Sequence, residues 1–480
     1  MKISIENFKA IKILTDYELK PLTILSGVNS SGKSSFIQLL LLLKQTLELD
    51  STKNPLFLDG ELYQVAAFKD ILSEKKIKNK LKIALEFSKK EDLALDTGKR
   101  ITLFDPYKTF TIKVEVIFDF KKAQVIITDF AVIYILPTGD KKEQFVRFKT
   151  IPGKKDKYSI EANNSLFGDE LWGQTPQITD IGYSSIFPSY YEITEIEVGA
   201  GIRKGQKSIK ERSATKYFPK ITGIKALLNQ KFQSISYIGP LRELPKDLYP
   251  KRSSKRHVGN QGEFTAQVLE NFAAEQIAFL KPLLSDDQIR YEESETTLLK
   301  AVKIWMCDIF KIGYDIYAKS QGDAYTIFLK NEGGTVTTIK HVGFGISQVL
   351  PIVVEGLLLP AAGTLILEQP EIHLHPKVQS LLFDFLYSLV KQGKNIIIET
   401  HSDHFITRMR RRIAESSDRD LLDAVNLTFI EVHEGEIYFE EIELDEMGTV
   451  GYFPGDFIEQ SSLELKAIVQ AQMHKRISES

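Results

Sequence analysis

The segment Gly27-Val28-Asn29-Ser30-Ser31-Gly32-Lys33-Ser34 lies between two apolar runs, Leu22 to Leu25 and Phe36 to Leu43. A strand that feeds a glycine-bounded loop, followed by a helix that leaves it, is the context in which this pattern cradles phosphate. The glycines let successive backbone N–H groups converge on one anion, and the helix N-terminus adds partial positive charge. Lys33 is then placed to reach the β- and γ-phosphates. Ser34 is placed to set its hydroxyl on Mg²⁺, and Ser35 opens the helix. A Gly/Ser turn that holds no ligand is the competing reading, and the flanking strand and helix decide against it.

At 480 residues the chain is long for one core and suggests two or three lobes. Its net charge of −2 shows no global basic excess of the kind that advertises nucleic acid, although local basic clusters can still bind it. One cysteine, Cys307, excludes an internal disulfide framework and a cysteine-rich zinc site. The N-terminus, Met1 to Phe8, alternates like a strand and lacks the apolar core of a signal peptide, so a cytoplasmic location is expected. The apolar stretch around Leu39 to Leu43 is interrupted by Gln38 and closed by Lys44, which reads as a buried helix face.

Four regions follow from the change of texture along the chain. Residues 1–80 open an α/β domain with strand, strand, phosphate loop and helix. Residues 81–200 read as an antiparallel β lobe, with β-branched and aromatic segments at Lys82 to Phe87, Phe110 to Phe120, Gln124 to Ile127 and Phe130 to Leu136. Residues 201–323 carry two basic stretches and a short helical insert. The first stretch, Gly201 to Lys220, holds Arg203, Lys204, Lys207, Lys210, Arg212, Lys216 and Lys220, and reads as an exposed loop or short helix. The second, Lys246 to His257, holds Lys251, Arg252, Lys255 and Arg256. Helical spacing of apolar residues over Glu263 to Leu284 and Thr296 to Phe310 gives the insert. Residues 324–480 resume the α/β pattern.

Phosphoryl chemistry also needs an acid at the end of an apolar strand, where it can hold Mg²⁺ or its water shell. Thr364-Leu365-Ile366-Leu367-Glu368-Gln369-Pro370-Glu371 supplies Glu368. Gln369 stands where a carboxylate commonly polarises the attacking water; a neutral amide orients water but takes no proton, so Glu371 is the alternative base. Upstream, His341-Val342-Gly343-Phe344-Gly345-Ile346-Ser347-Gln348 precedes an apolar helix-like run, and its glycines and polar pair form a second anion loop at a helix start. A glycine turn that merely caps a helix is the alternative. Downstream, the strand Asn395 to Glu399 ends at Thr400-His401-Ser402-Asp403, where His401 can donate to a γ-phosphate without a fixed full charge.

These motifs, in this order, resemble the ABC-type ATPases of the RecF and overcoming-lysogenization-defect (OLD) group. The likeness covers residues 1–50 and 335–405, and Gly239-Pro240-Leu241-Arg242 and Gly451-Tyr452-Phe453-Pro454 are similar to segments of related bacterial ATPases. Some relatives of that kind are the ATPase subunits of the anti-phage systems Septu, Gabija and PARIS. The resemblance implies an α/β P-loop head with a mixed sheet. It makes Gly27 to Ser35, including Asn29, Ser30, Ser31, Gly32, Lys33 and Ser34, the Walker A loop, and Glu368 the Walker B acid. Gly343, Gly345, Ser347 and Gln348 become the signature, His401 the switch histidine, Glu371 or Gln369 the hydrolytic position, and Gln64 a Q-loop candidate. It further implies ATP and Mg²⁺ as ligands, with Ser34 and Glu368 on the metal, and a head-to-tail homodimer in which each signature closes on the partner's nucleotide. The expected activity is slow ATP hydrolysis gating a separate effector, a nuclease or toxin, with DNA repair through the basic stretches as the alternative. About 75 residues follow Asp403, too few for a Toprim nuclease in addition to the rest of the head.

Overall fold

The computed structural model describes residues 1–28, 31–49, 54–88, 111–121, 124–135, 144–151, 158–162, 178–200, 207–252, 256–285, 288–416 and 418–451. Asn29 and Ser30 of the phosphate loop, the basic residues Arg203, Lys204 and Lys255, and the segment from Tyr452 to Pro454 lie outside these residues. The fold is α/β, with parallel and antiparallel sheets, and divides into two compact units.

One unit comprises Met1–Leu19 and Ser34–Ile235. Its larger sheet has seven antiparallel strands in the order β2-β1-β4-β5-β6-β7-β8. These are β1 (Lys2–Phe8), β2 (Ile11–Glu18), β4 (Leu81–Ser88), β5 (Thr111–Lys121), β6 (Gln124–Ile135), β7 (Gln144–Thr150) and β8 (Tyr158–Ala162). A second, three-stranded sheet holds β9 (Ile178–Ser184), β10 (Phe187–Ala200) and β11 (Lys207–Tyr217). The antiparallel lobe is therefore present, with Gln124–Ile135 forming one strand rather than two segments. Helix α1 (Lys33–Leu49) buries Phe36, Ile37 and Leu39 to Leu43 almost completely, and α2 is Pro219–Gln233.

The first basic stretch differs from expectation: residues 207–217 form β11, paired along its whole length with β10. Ladder hydrogen bonds come from the backbone and need no apolar side chain, and lysine-rich edge strands discourage further pairing. Polarity alone thus misread a strand as a loop.

The other unit comprises Lys20–Lys33 and Ser236–Ser480. Its main sheet runs β12-β19-β20-β3-β21-β22, from β3 (Leu22–Gly27), β12 (Ile235–Ile238), β19 (Thr364–Glu368), β20 (Asn395–Glu399), β21 (Val425–His433) and β22 (Glu436–Glu441). The four strands β19, β20, β3 and β21 are mutually parallel, and β22 adds antiparallel to β21. Leu22, Ile24, Leu365, Ile366, Leu367, Ile396 and Ile398 are fully buried, the signature of parallel strands covered on both faces. Around the sheet stand α3 (Thr265–Asn271), α4 (Leu298–Lys303), α5 (Phe344–Leu358), α6 (Pro376–Lys391), α7 (Asp403–Glu415) and α8 (Asp420–Ala424). Smaller sheets are built from β13 (Tyr249–Pro250), β16 (Asp315–Gln321), β17 (Ala324–Lys330) and β18 (Val336–Thr338), and from the hairpin β14 (Gln276–Ser285) with β15 (Gln288–Thr297).

That hairpin corrects the helical insert. Only Thr265–Asn271 and Leu298–Ile309 are helical there, the latter finishing as a π-helical turn over Ile304–Ile309. Buried Ile277 and Phe279 alternate with exposed neighbours, a period-two pattern that competes with helical spacing over so short a span. Among the described residues no helix is long and apolar enough to cross a membrane.

Two buried charge clusters lock this unit. Asp384, fully buried on α6, accepts from Arg408 Nη2 (2.6 Å) and Arg412 Nε (2.8 Å) of α7. Glu355 on α5 accepts from Ser236 Oγ (2.5 Å) and from Val258 N–H (2.8 Å). The basic run Arg408, Arg410, Arg411 and Arg412 divides between the inner face and the surface of α7. Arg408 and Arg412 are 6% exposed, Arg410 Nε donates to Gly448 O and Arg411 pairs with Glu415. The i, i+4 spacing turns Arg408 and Arg412 to the inner face of α7, where Asp384 neutralises them.

Candidate nucleotide-binding site

The parallel strands end together, and the site residues collect at their C-terminal ends. Gly27 closes β3 at φ +141°, and a Cβ there would sit 2.1 Å from the carbonyl oxygen of Ile430, its neighbour on β21. Only glycine fits that turn. Lys33 opens α1 and is 3% exposed. Its ammonium is curled onto its own loop, donating to Gly27 O (3.0 Å), Val28 O (2.6 Å) and Ser31 Oγ (3.5 Å). Burial lowers its pKa, and the neighbouring Glu399 carboxylate works the other way. A lysine held among carbonyl dipoles beside a carboxylate is poised to exchange those partners for phosphate oxygens.

Glu368 and Glu399 are register partners at the ends of adjacent parallel strands, 8% and 4% exposed. Burial first, and the Glu399 charge second, push Glu368 up to about 7, while the Tyr237 hydroxyl, donating to its Oε1 at 2.8 Å, pulls it back. Burial and these two carboxylates hold the Tyr237 phenol far above its ordinary range. A buried carboxylate pair of this kind favours an arriving cation. The Glu368 carboxylate is a hard oxygen donor, of the kind Mg²⁺ uses together with phosphates and water. Among the described residues no group of three or more His, Cys, Asp or Glu is arranged to hold an ion, so a protein-only metal cage is not what these strand ends build.

The turn after β19 is backed by two further contacts. Gln369 adopts a left-handed backbone, φ +44°, with its N–H donating to Glu399 O at 2.7 Å. Arg242, 6% exposed, donates from Nη2 to Glu368 O (3.1 Å) and from Nη1 to Gln369 O (3.5 Å). Burial lowers its pKa to about 10. Glu371 accepts the His401 N–H on Oε1 at 2.8 Å, and its Oε2 is buried without a partner. Burial raises the Glu371 pKa, with hydrogen bonds from His401 and Thr400 and the Arg242 charge opposing. Burial and Lys33 lower the pKa of His401, against a hydrogen bond to the Gly27 backbone.

The residues expected as a signature, Gly343 to Gln348, form the start of α5. Gly343 is its N-cap, with open space where a side chain would stand, and a Cβ on Gly345 would lie 3.0 Å from His373 O in the turn that follows β19. Ser347 and Gln348 are buried; the Ser347 hydroxyl donates to Phe344 O at 2.7 Å and Gln348 Nε2 donates to it at 3.4 Å. Their polar atoms are thus engaged within the helix, while the glycines and the half-exposed Phe344 present the surface. Gln64, the Q-loop candidate, is exposed and donates to Asp59. In the second basic stretch Lys251 and Arg252 lie over the rings of Tyr325 and Phe264, and Arg256 pairs with Glu275.

Three residues of this site escaped sequence reasoning as site residues: Glu399, Tyr237 and Arg242. Glu399 carried a legible signal, an acid at the end of a wholly apolar strand. The other two are recruited from β12 and the turn after it, and only the hydrogen bonds reveal them.

Residues 1–406 match the family model described as AAA ATPase domain. No curated protein matches the chain. Among solved structures, the chain is similar to an SMC head bound to the C-winged helix domain of ScpA, at 11% identity and a TM-score of 0.41, covering 93% of this chain and 98% of that one. It is also similar to the SMC head domain from Thermotoga maritima, at 9% identity and a TM-score of 0.36, covering 92% and 98%. A third is the Pyrococcus furiosus Smc head with an extended coiled coil bound to the C-terminal domain of ScpA, at 10% identity and 0.40, covering 92% and 95%.

Proposed function

From the premise that this chain belongs to the AAA ATPase domain family, we propose that it is a slow ABC-type ATPase acting as a nucleotide-gated homodimeric clamp. The observation that carries this reading is the convergence of Lys33, Glu368, Glu399 and His401 on the ends of neighbouring parallel strands. Lys33 trades the Gly27 and Val28 carbonyls for the β- and γ-phosphates, and the loop amides cradle the rest. Mg²⁺, held on the Glu368 side, would neutralise phosphate charge. Glu371, whose carboxylate keeps Oε2 buried and uncommitted, takes the proton of the attacking water. As the water oxygen bonds to the γ-phosphorus, the bond to the β-phosphate oxygen breaks and ADP leaves with the electron pair. Gln369 stands where a carboxylate would be faster, which supports slow turnover with ATP occupancy as the signal.

Gly343, Gly345 and exposed Phe344 are the surface that would close on the partner's nucleotide, completing each site in trans. The closed dimer would regulate a separate effector, a nuclease or toxin of an anti-phage system. Arg408 and Arg412, buried against Asp384, are withdrawn from any clamp on DNA, which supports this reading, while Lys251, Arg252 and Arg256 stay at the surface. Lys33→Ala tests the reading: nucleotide affinity by calorimetry should fall about 10- to 100-fold, the worth of a charge-assisted hydrogen bond, and ATP-dependent dimerisation in the ultracentrifuge should vanish. Unchanged binding and turnover would refute it.

A further inference from the structure

Gln369 sits between the metal-side acid and the hydrolytic candidate, and its two peptide planes are fixed from opposite sides. Its N–H donates to Glu399 O on β20, and its carbonyl accepts from Arg242 Nη1. The preceding carbonyl, of Glu368, accepts from the same guanidinium through Nη2. A left-handed backbone at a residue other than glycine costs on the order of 1 kcal/mol and persists where its surroundings over-determine it. Here the over-determination comes from the Glu399 carbonyl on one hand and, on the other, from one side chain outside the turn, entering from the segment after β12.

Arg242 is also placed to act on charge. Its Nε is buried without a partner, and so is Glu371 Oε2. The guanidinium charge favours the ionised form of Glu371, the form a base must start from. A residue serving stability alone would have its donors spent; this one leaves Nε uncommitted in a site where an acceptor is also uncommitted.

Resting on the reading of Glu371 as the hydrolytic base, we infer that Arg242 is the positioning residue that holds the Glu368–Glu371 turn and thereby aims the Glu371 carboxylate at the attacking water. Arg242 touches no reacting atom; it acts through Gln369 and Glu371. The two carbonyls require a planar fork, so lysine replaces the charge without the geometry.

The test compares Arg242→Met and Arg242→Lys with the unaltered chain, in the Glu371 and in the Glu371→Gln background. ADP affinity is measured by calorimetry and ATP hydrolysis by single-turnover assay. Hydrolysis should slow about 10- to 100-fold in the Met variant, the worth of a lost charged hydrogen bond, with ADP affinity within about twofold and partial recovery in the Lys variant. In the Glu371→Gln background, the same change should add less than about twofold, because residues acting as a unit are non-additive. Wild-type turnover in the Met variant, full multiplication of the two losses, or parallel loss of ADP affinity would overturn the inference. Should the Met variant not fold, the Lys variant carries the same cycle. The outcomes separate the two levels: if Lys33→Ala abolishes turnover and Arg242→Met does not change it, this inference falls and the functional reading stands.

Discussion

Replacing Glu368 by Gln should stabilise the nucleotide-free protein above neutral pH, while removing its response to metal. The carboxyl is 8% exposed, and burial beside Glu399 lifts it from an ordinary 4.5 to about 7. Between those values the folded chain holds a proton that the unfolded chain has released, so stability falls as pH rises through this window and levels off above it. At about 1.4 kcal/mol per pH unit, the accumulated loss is roughly 3 kcal/mol by pH 7 to 8. Glutamine keeps the shape and still accepts from Tyr237 on its side-chain oxygen, so the substitution removes the charge and little else. Thermal unfolding in chelator from pH 5 to 8 should show a declining curve for the unaltered chain and a flatter one for Glu368→Gln. The two should meet near pH 5 and stand farthest apart at pH 8. Added Mg²⁺ should then raise the midpoint of the ADP-bound unaltered chain and leave that of the ADP-bound variant where it was. Parallel pH curves would refute the electrostatic account, whatever the effect on turnover.

Gly27→Ala should cost on the order of 3 kcal/mol, because its Cβ would meet Ile430 O at 2.1 Å in a backbone conformation closed to alanine; denaturant unfolding checks this. Asp384→Leu should cost roughly 3–5 kcal/mol by leaving Arg408 and Arg412 buried and unpaired, again read from denaturation midpoints.

Much of this site was legible because parallel strands buried on both faces are written as short apolar runs, and their ends mark where a ligand can be met. Leu22 to Leu25, Thr364 to Leu367 and Asn395 to Ile398 each announce such a strand, and Lys33, Glu368 and His401 follow from where the runs stop. The misreadings have physical causes as well. Lys207 to Tyr217 gains its order from backbone pairing with a neighbour, which leaves little mark on the side-chain pattern, and the alternation in the hairpin from Gln276 to Thr297 is too short to stand apart from helical spacing. The arginines of α7 carry the opposite lesson, since a charge run looks solvated until a buried partner such as Asp384 is known.

The sequence by itself determined the chemistry of the loop at Gly27, for that depends on residues a few positions apart whose local backbone conformation is set by glycine and by the start of a helix. Strand order was decided only in the folded chain. Placing β20 between β19 and β3 brings Glu399 beside Glu368 and within reach of the Lys33 charge. Placing β12 next to β19 delivers Tyr237 and Arg242 to the same turn. These contacts join residues far apart along the chain, and the free energy that selects them is the burial of the whole sheet, which no local segment encodes.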